Sequence, residues 1–175
     1  MRSTYLTRRS IPHWVLDMGK KVILDTSALF SMEEVPADLE AYAPPGVVDE
    51  LRRYNDGRAE VLSLKVTVSE PTSASRKKVE EASVRTGDRT RLSPVDKDVL
   101  ALALDMQAEV YTDDYSVQNL ASVLKIPFKA VGLKPIKEIV KWRYICLGCG
   151  KHFDKEQPDC PICGSQLRTY RGRKR

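Results

Sequence analysis

Two sets of residues in this chain have types and spacings that could bind metal. The first is Cys146-Leu-Gly-Cys149 and Cys160-Pro-Ile-Cys163. Each pair encloses two residues, each second cysteine precedes a glycine (Gly150, Gly164), and ten residues separate the pairs. Two thiolates at this spacing can approach one ion from a tight turn, and Zn²⁺ takes four such ligands tetrahedrally. The glycines let the backbone curl so that amides face the sulfurs. A segment this short has almost no apolar core, so metal binding would supply its folding energy. Two disulfides would need an oxidising compartment, and no export signal appears in the N-terminal residues. A rubredoxin-like iron centre uses similar spacing, but the basic surroundings give no hint of electron transfer. The spacing therefore points to structural zinc. His152 is surplus, because four cysteines complete the sphere.

The second set is acidic. Asp25 follows the apolar run Val22-Ile23-Leu24, and Asp113-Asp114 follow Tyr111-Thr112. Glu50 lies in the segment after Pro44-Pro45-Gly46, and Asp96 lies three residues after Ser93. Each acid alone has an ordinary structural use: helix cap for Asp25 and for Asp113 or Asp114, solvated helix residue for Glu50, capping-box acid for Asp96. Together they recur where a parallel α/β sheet gathers ligands, beyond the carboxyl ends of its strands. Clustered carboxylates repel unless a divalent cation neutralises them, and hard oxygen ligands suit Mg²⁺ or Mn²⁺. Such an ion supports phosphodiester hydrolysis. The two histidines, His13 and His152, stand far from these acids in sequence, so no Ser/His/Asp set is credible. No Walker or dinucleotide glycine pattern occurs, which argues against a nucleotide cofactor.

The elements that must position the acids follow from periodicity. KVILD (21–25) reads as a buried strand feeding a helix, and VVDELRRYN (47–55) as a helix stopping near Gly57. LSLKVTVSE (62–70) alternates as a strand does, and 72–87 reads as an amphipathic helix with Val79, Ala82 and Val84 inward, closed by Gly87. Residues 93–107 carry Ser93 at the N-cap, Pro94 at N1 and Val95, Val99, Leu102 and Met106 on one face. Strand 108–114, helix 115–125 and strand 126–132 complete the alternation, which predicts a parallel sheet with helices on both faces. Residues 133–142 form a basic connector with room for one helical turn.

The chain has 175 residues, 42% apolar and 30% charged, which suits a globular core plus a small module. No apolar run approaches the ~20 residues of a membrane span, so a soluble, cytoplasmic protein is expected. The net charge is +5, and the residues after Cys163 hold five positives (Arg168, Arg171, Arg173, Lys174, Arg175) and no acid. The rest is therefore neutral, and the cationic end points to a polyanion. Aromatic Tyr144, His152, Phe153 and Tyr170 interleave with Arg143 and Lys151 there, as suits single-stranded or looped RNA. The expected RNA contacts are Arg143, Lys151, Arg168, Arg171 and Arg173. Tyr144 and Phe153 have the simpler use of filling the ribbon core.

VILDTSALF, VVDEL, LSPVDKDVLALAL and YTDDYSVQNLA, in this order, resemble the four acidic motifs of PIN-domain nucleases. The resemblance implies Asp25, Glu50, Asp96 and one of Asp113 or Asp114 as metal-binding residues, with Asp114 preferred. The TDDYSVQN segment, the GLKPI connector and the terminal ribbon resemble more specifically the archaeal Nob-type endonucleases, over residues 20–170. That resemblance implies a PIN-like three-layer domain with a mostly parallel sheet, followed by a zinc ribbon. It also implies trimming of the 3′ end of small-subunit (16S) rRNA with Mn²⁺ or Mg²⁺, leaving 5′-phosphate and 3′-hydroxyl ends, and precursor rRNA and the pre-small ribosomal subunit as partners. Expected units are an N-terminal arm (1–19, disordered), the nuclease domain (20–132), a linker (133–142), the ribbon (143–168) and a basic tail (169–175). Two rivals differ in class: a toxin-type PIN ribonuclease acting on tRNA or mRNA, which usually lacks a ribbon, and a non-catalytic RNA-binding assembly factor.

Overall fold

The computed structural model describes residues 19–54, 60 and 64–171. The expected arm before Gly19, the helix stop at Gly57 and the end of the tail, with Arg173, lie outside the described residues.

Five strands form one sheet in the order β3-β2-β1-β4-β5, every neighbour parallel. They are β1 (Lys20–Leu24), β2 (Leu39–Ala43), β3 (Thr67–Val68), β4 (Glu109–Tyr111) and β5 (Phe128–Lys129). Val22, Ile23 and Leu24 on β1 are all fully buried. Successive side chains of a strand point to opposite faces, so both faces of β1 are covered. The helices are α1 (Thr26–Ser31), α2 (Pro45–Arg53), α3 (Ser73–Thr86), α4 (Pro94–Met106) and α5 (Tyr115–Leu124). None of the described helices is long and apolar enough to cross a membrane.

Strand β2, LEAYA, was not anticipated; its weak alternation of Leu39, Ala41 and Ala43 is completed by pairing with β1. The alternating 62–70 segment departs from expectation: Leu64 is helical and exposed, and the strand shrinks to Thr67–Val68 at the sheet edge. In α3, Val79 and Ala82 are buried as expected, but Val84 is half exposed; Ser75, Ser83 and Thr86 take the inward positions instead. They lie at four- and seven-residue steps around Val79, whereas Val84 is five residues on, across the helix. Helix α4 buries Leu100, Ala101 and Ala103 as well as Val99 and Leu102. A helix packed by neighbours on several sides buries more than one stripe, which is why a single apolar face understates it. The connector contains no helical turn.

A second sheet, antiparallel in the order β7-β6-β8, is built from β6 (Trp142–Cys146), β7 (His152–Phe153) and β8 (Leu167–Arg171). Arg171 pairs with Trp142 across β8 and β6. Asp88, fully buried after α3, ties β6 of the second sheet to helix α5 of the first layer. It accepts Trp142 Nε1 at 2.7 Å and Asn119 Nδ2 at 2.8 Å. Gly87 closes α3 with φ +77°, and a Cβ there would sit 3.0 Å from Trp142 Cβ, so both conformation and space require glycine.

Candidate functional site

The order of strands reverses between β1 and β4, the point at which open α/β sheets place their ligands. Asp25 leaves β1 there, and its amide extends the ladder by donating to Tyr111 O at 3.1 Å. It caps α1 through Oδ1, which accepts Thr26 N at 2.7 Å. Oδ2 accepts the hydroxyls of Thr112 (2.6 Å) and Ser27 (2.8 Å). These hydroxyls fix the carboxylate rather than leave it to rotate. Burial nonetheless pushes the Asp25 pKa up, against those hydrogen bonds, with the nearby Asp114 charge adding to the rise.

The adjoining aspartates part company after β4. Asp113 turns to the β5–connector bend and accepts Val131 N, Gly132 N and Leu133 N, together with Ser31 Oγ at 2.6 Å. Burial alone would raise its pKa, but the Ser31 hydroxyl and the three amides outweigh burial and hold it below the usual range. Asp114 caps α5: its Oδ1 accepts Ser116 N (2.6 Å) and Val117 N (3.1 Å), leaving Oδ2 without a hydrogen bond among the described residues. Its own amide donates to Thr112 Oγ1 at 3.0 Å, so Thr112 links the Asp25 carboxylate to the Asp114 backbone.

Asp96 forms the capping box of α4, accepting Ser93 N at 2.7 Å while its amide donates to Ser93 Oγ. Its pKa is pushed up to about 6, first by burial and then by the charges of Asp25 and Asp114. Those couplings place the three carboxylates in one electrostatic neighbourhood. Glu50, on α2, accepts Thr26 Oγ1 at 2.6 Å and so borders the site one residue from Asp25. The hydroxyl of Thr26 was the contributor that sequence reasoning missed; its place directly after Asp25 was the available signal.

The carboxylates fit a divalent cation by their chemistry: three acids in mutual repulsion, two with raised pKa values, beyond the carboxyl edge of a parallel sheet. They do not converge as closely as the cysteines. Among the described residues, only Cys146, Cys149, Cys160 and Cys163 bring three or more ligand atoms within 4.8 Å of one another. The wider acidic site suits an ion that keeps part of its water shell, as Mg²⁺ does.

In the ribbon, Cys146 Sγ lies 3.4 Å from Cys163 Sγ, and Cys149 Sγ lies 3.6 Å from Cys160 Sγ. A tetrahedron with Zn–S bonds of about 2.3 Å spaces its sulfurs about 3.8 Å apart, so the four fit one zinc. All four cysteines are free. Gly148 N and Cys149 N donate to Cys146 Sγ, and Gly150 and Gly164 close the two turns at positive φ. Ser165 helps draw the Cys163 thiol down to about 6. The Lys151 amide favours the Cys149 thiolate, but burial and the three other thiols together push that group up to about 11. Zinc binds cysteine as thiolate, so filling this cluster would release thiol protons. His152 Nδ1 instead meets Tyr170 OH at 2.9 Å.

The four expected RNA contacts among the described residues separate. Directly paired strand residues share a face, so the Arg143–Tyr170 and Ile145–Arg168 pairs put Arg143, Arg168 and Tyr170 on one side of the ribbon. His152, paired with Ile145, joins them. Arg171, paired with Trp142, points to the other side. Arg143 also pairs with Asp154 at 3.2 Å, and Lys151 is exposed.

A parallel sheet with acids beyond its two central strands, joined to a four-cysteine ribbon, defines a PIN-domain protein. A family model described as the PIN domain of ribonuclease matches residues 22–106. The endoribonuclease Nob1 of Pyrococcus abyssi is 38% identical over 89% of this chain and 96% of its own length. That of Methanothermobacter thermautotrophicus is 35% identical over 87% and 94%. Ribonuclease VapC1 of Thermoplasma acidophilum is 36% identical over 89% of this chain and 81% of its own. The chain belongs to the Nob1 family of PIN-domain endoribonucleases.

Proposed function

We propose that this protein is a divalent-cation-dependent endoribonuclease that cuts precursor rRNA to mature the 3′ end of small-subunit (16S) rRNA within the pre-small ribosomal subunit. The observation that carries the catalytic part is the placement of Asp25 and Asp114, joined through Thr112, at the β1–β4 switch point, with Asp96 near enough for their charges to act on it. The family carries the choice of RNA.

In this reading Asp25, Asp96 and Asp114 hold Mn²⁺ or Mg²⁺, and Glu50 is a further ligand or a base at the rim. When bound, the ion supplies water activation and offsets charge on the leaving oxygen. Ser27 and Thr112 hold Asp25 in one rotamer, and Thr112 couples that rotamer to the position of Asp114. Thr26 fixes Glu50 in the same way. Asp113, engaged by three backbone amides and Ser31, braces the turn after β5 and takes no part in ion binding. The cysteines hold zinc, Arg143 and Arg168 meet RNA on the outer ribbon face, and the exposed Lys151 adds a further contact.

Purified protein incubated with pre-16S rRNA fragments and Mn²⁺, beside an Asp25→Asn control, tests this directly. Cleavage at one site by the wild type alone is expected. No cleavage leaves the RNA-binding assembly factor. Equal cleavage of tRNA or mRNA favours the toxin-type reading, to which the likeness to VapC1 lends weight.

A further inference from the structure

Beside the acidic site runs a groove of about 680 Å³ between α5, the connector and the inner face of the ribbon. Its walls include Arg91, Tyr115, Lys134, Lys137, Trp142 and Arg171. It begins one residue from Asp114, because Tyr115 is the first residue of the helix that Asp114 caps. None of these four cations forms an ion pair with an acid among the described residues, in contrast to Arg76, Arg89, Lys97 and Arg143 elsewhere.

The geometry points to this groove as the track for single-stranded RNA leaving the acidic site. This assignment rests on the endoribonuclease reading only for the direction in which the strand runs. Three features fit that occupant better than a folded partner. Four cations without an ion pair among the described residues, against the single acid Glu138 in the same lining, match a phosphodiester backbone along a concave wall. Tyr115, 53% exposed beside Asp114, offers an aromatic face at the point where a base would emerge. Arg91 lies 3.9 Å from the Trp142 ring centroid, which holds its guanidinium over the wall instead of in bulk solvent.

The groove is also preformed. Asn119, buried on α5, exchanges two hydrogen bonds with the Val140 backbone, accepting Val140 N at 2.6 Å and donating to Val140 O at 2.9 Å. Gln118 Oε1 accepts Ile136 N at 2.9 Å, and Trp142 is anchored on Asp88. The connector is therefore a fixed wall, and a strand entering it orders little protein.

Binding is measured in the uncleaving Asp25→Asn protein with a labelled single-stranded RNA of about 12 nucleotides, within the usual site size. Adding Lys134→Glu with Lys137→Glu should weaken binding at least about 10-fold and flatten the salt slope by roughly 1.4, or about 0.7 per lost phosphate contact. Lys77→Glu with Lys78→Glu, an equal charge change on exposed α3, should have a much smaller effect. Tyr115→Ala should cost about 10-fold and Tyr115→Phe little, because stacking needs only the ring. The track is overturned if the salt slope is unchanged, if the α3 pair costs as much, or if a duplex of the same length loses as much. Wild-type cleavage with groove variants that bind normally would reject the track and keep the nuclease. Weakened groove variants in a protein that never cleaves would do the reverse.

Discussion

The acidic site and the cysteine cluster each gather four or more potential metal ligands, yet they are built in opposite ways. The sulfurs come from one local segment and lie within 4.8 Å of one another. The carboxylates come from four separate elements, stand further apart and are each tied to hydroxyls or amides of their own. Beneath the carboxylates lies an apolar core in which Val22, Ile23 and Leu24 are fully buried. Beneath the sulfurs there is little beyond Tyr144 and the cysteines themselves. One site should need its ion to fold, and the other only to work.

Removing the ribbon metal should give the largest effect, since structural zinc supplies on the order of 10–16 kcal/mol in comparable modules. Chelation or Cys160→Ser should abolish amide-exchange protection in β6 and β8 while leaving that of β1 and β4 intact. Loss of protection in both sheets would end the contrast. Next in size, Asp25→Asn should reduce cleavage by several kcal/mol, on the order of 1000-fold, in a protein that is still folded at the assay temperature. Asp114→Asn should behave alike, because asparagine still caps a helix.

Asp113→Asn should do the opposite. One amide oxygen cannot satisfy three backbone N–H groups and a hydroxyl, so about 1–3 kcal/mol of stability should be lost. Cleavage measured well below the melting temperature should persist. If Asp113→Asn abolished cleavage at full stability, the division between the two aspartates would fail.

The smallest effect concerns Asp96. Its folded pKa, about 6, lies above its ordinary 3.8, so the native state holds this proton more tightly than the unfolded chain does. In cation-free protein this group therefore favours folding at low pH, and that advantage is lost as pH rises through 6. At pH 7 Asp96→Asn should raise the melting temperature by about 2–4 °C, roughly 1 kcal/mol after allowing for solvent screening. The gap between wild type and variant should close as pH falls below 6. Added Mn²⁺ should reverse its sign, and Mn²⁺ affinity in the wild type should weaken over the same acid range.

Much of this was legible in the residues. Ser93, Pro94 and Asp96 announce the start of α4, and VIL followed by Asp25 announces a strand ending at a site, because these signals act within one turn or one strand. Elsewhere the local pattern misled. Alternation in 62–70 predicted a longer strand than Thr67–Val68, and LEAYA gave little sign of β2. Strand formation there depends on partners outside the local window, β2 for β3 and β1 for β2. Val84 misled for a similar reason, since its neighbours and not its own polarity decide which face of α3 is covered.

The contrast between the two sites is also the contrast between what the sequence could determine alone and what it could not. Two CxxC pairs, each closed by glycine, specify a metal-binding ribbon almost unaided, because chain connectivity over 18 residues already brings the sulfurs together. The acids were visible as residues but not as a site. Asp113 and Asp114 are chemically identical neighbours, and only tertiary structure gives one to the amides of residues 131–133 and leaves the other capping α5 beside the Asp25–Thr112 pair. The basic residues likewise look uniform in sequence, yet β-pairing sends Arg143 and Arg168 to one face and Arg171 to the other. Direction in space is set by the backbone to which a side chain is attached, and long-range packing fixes that backbone.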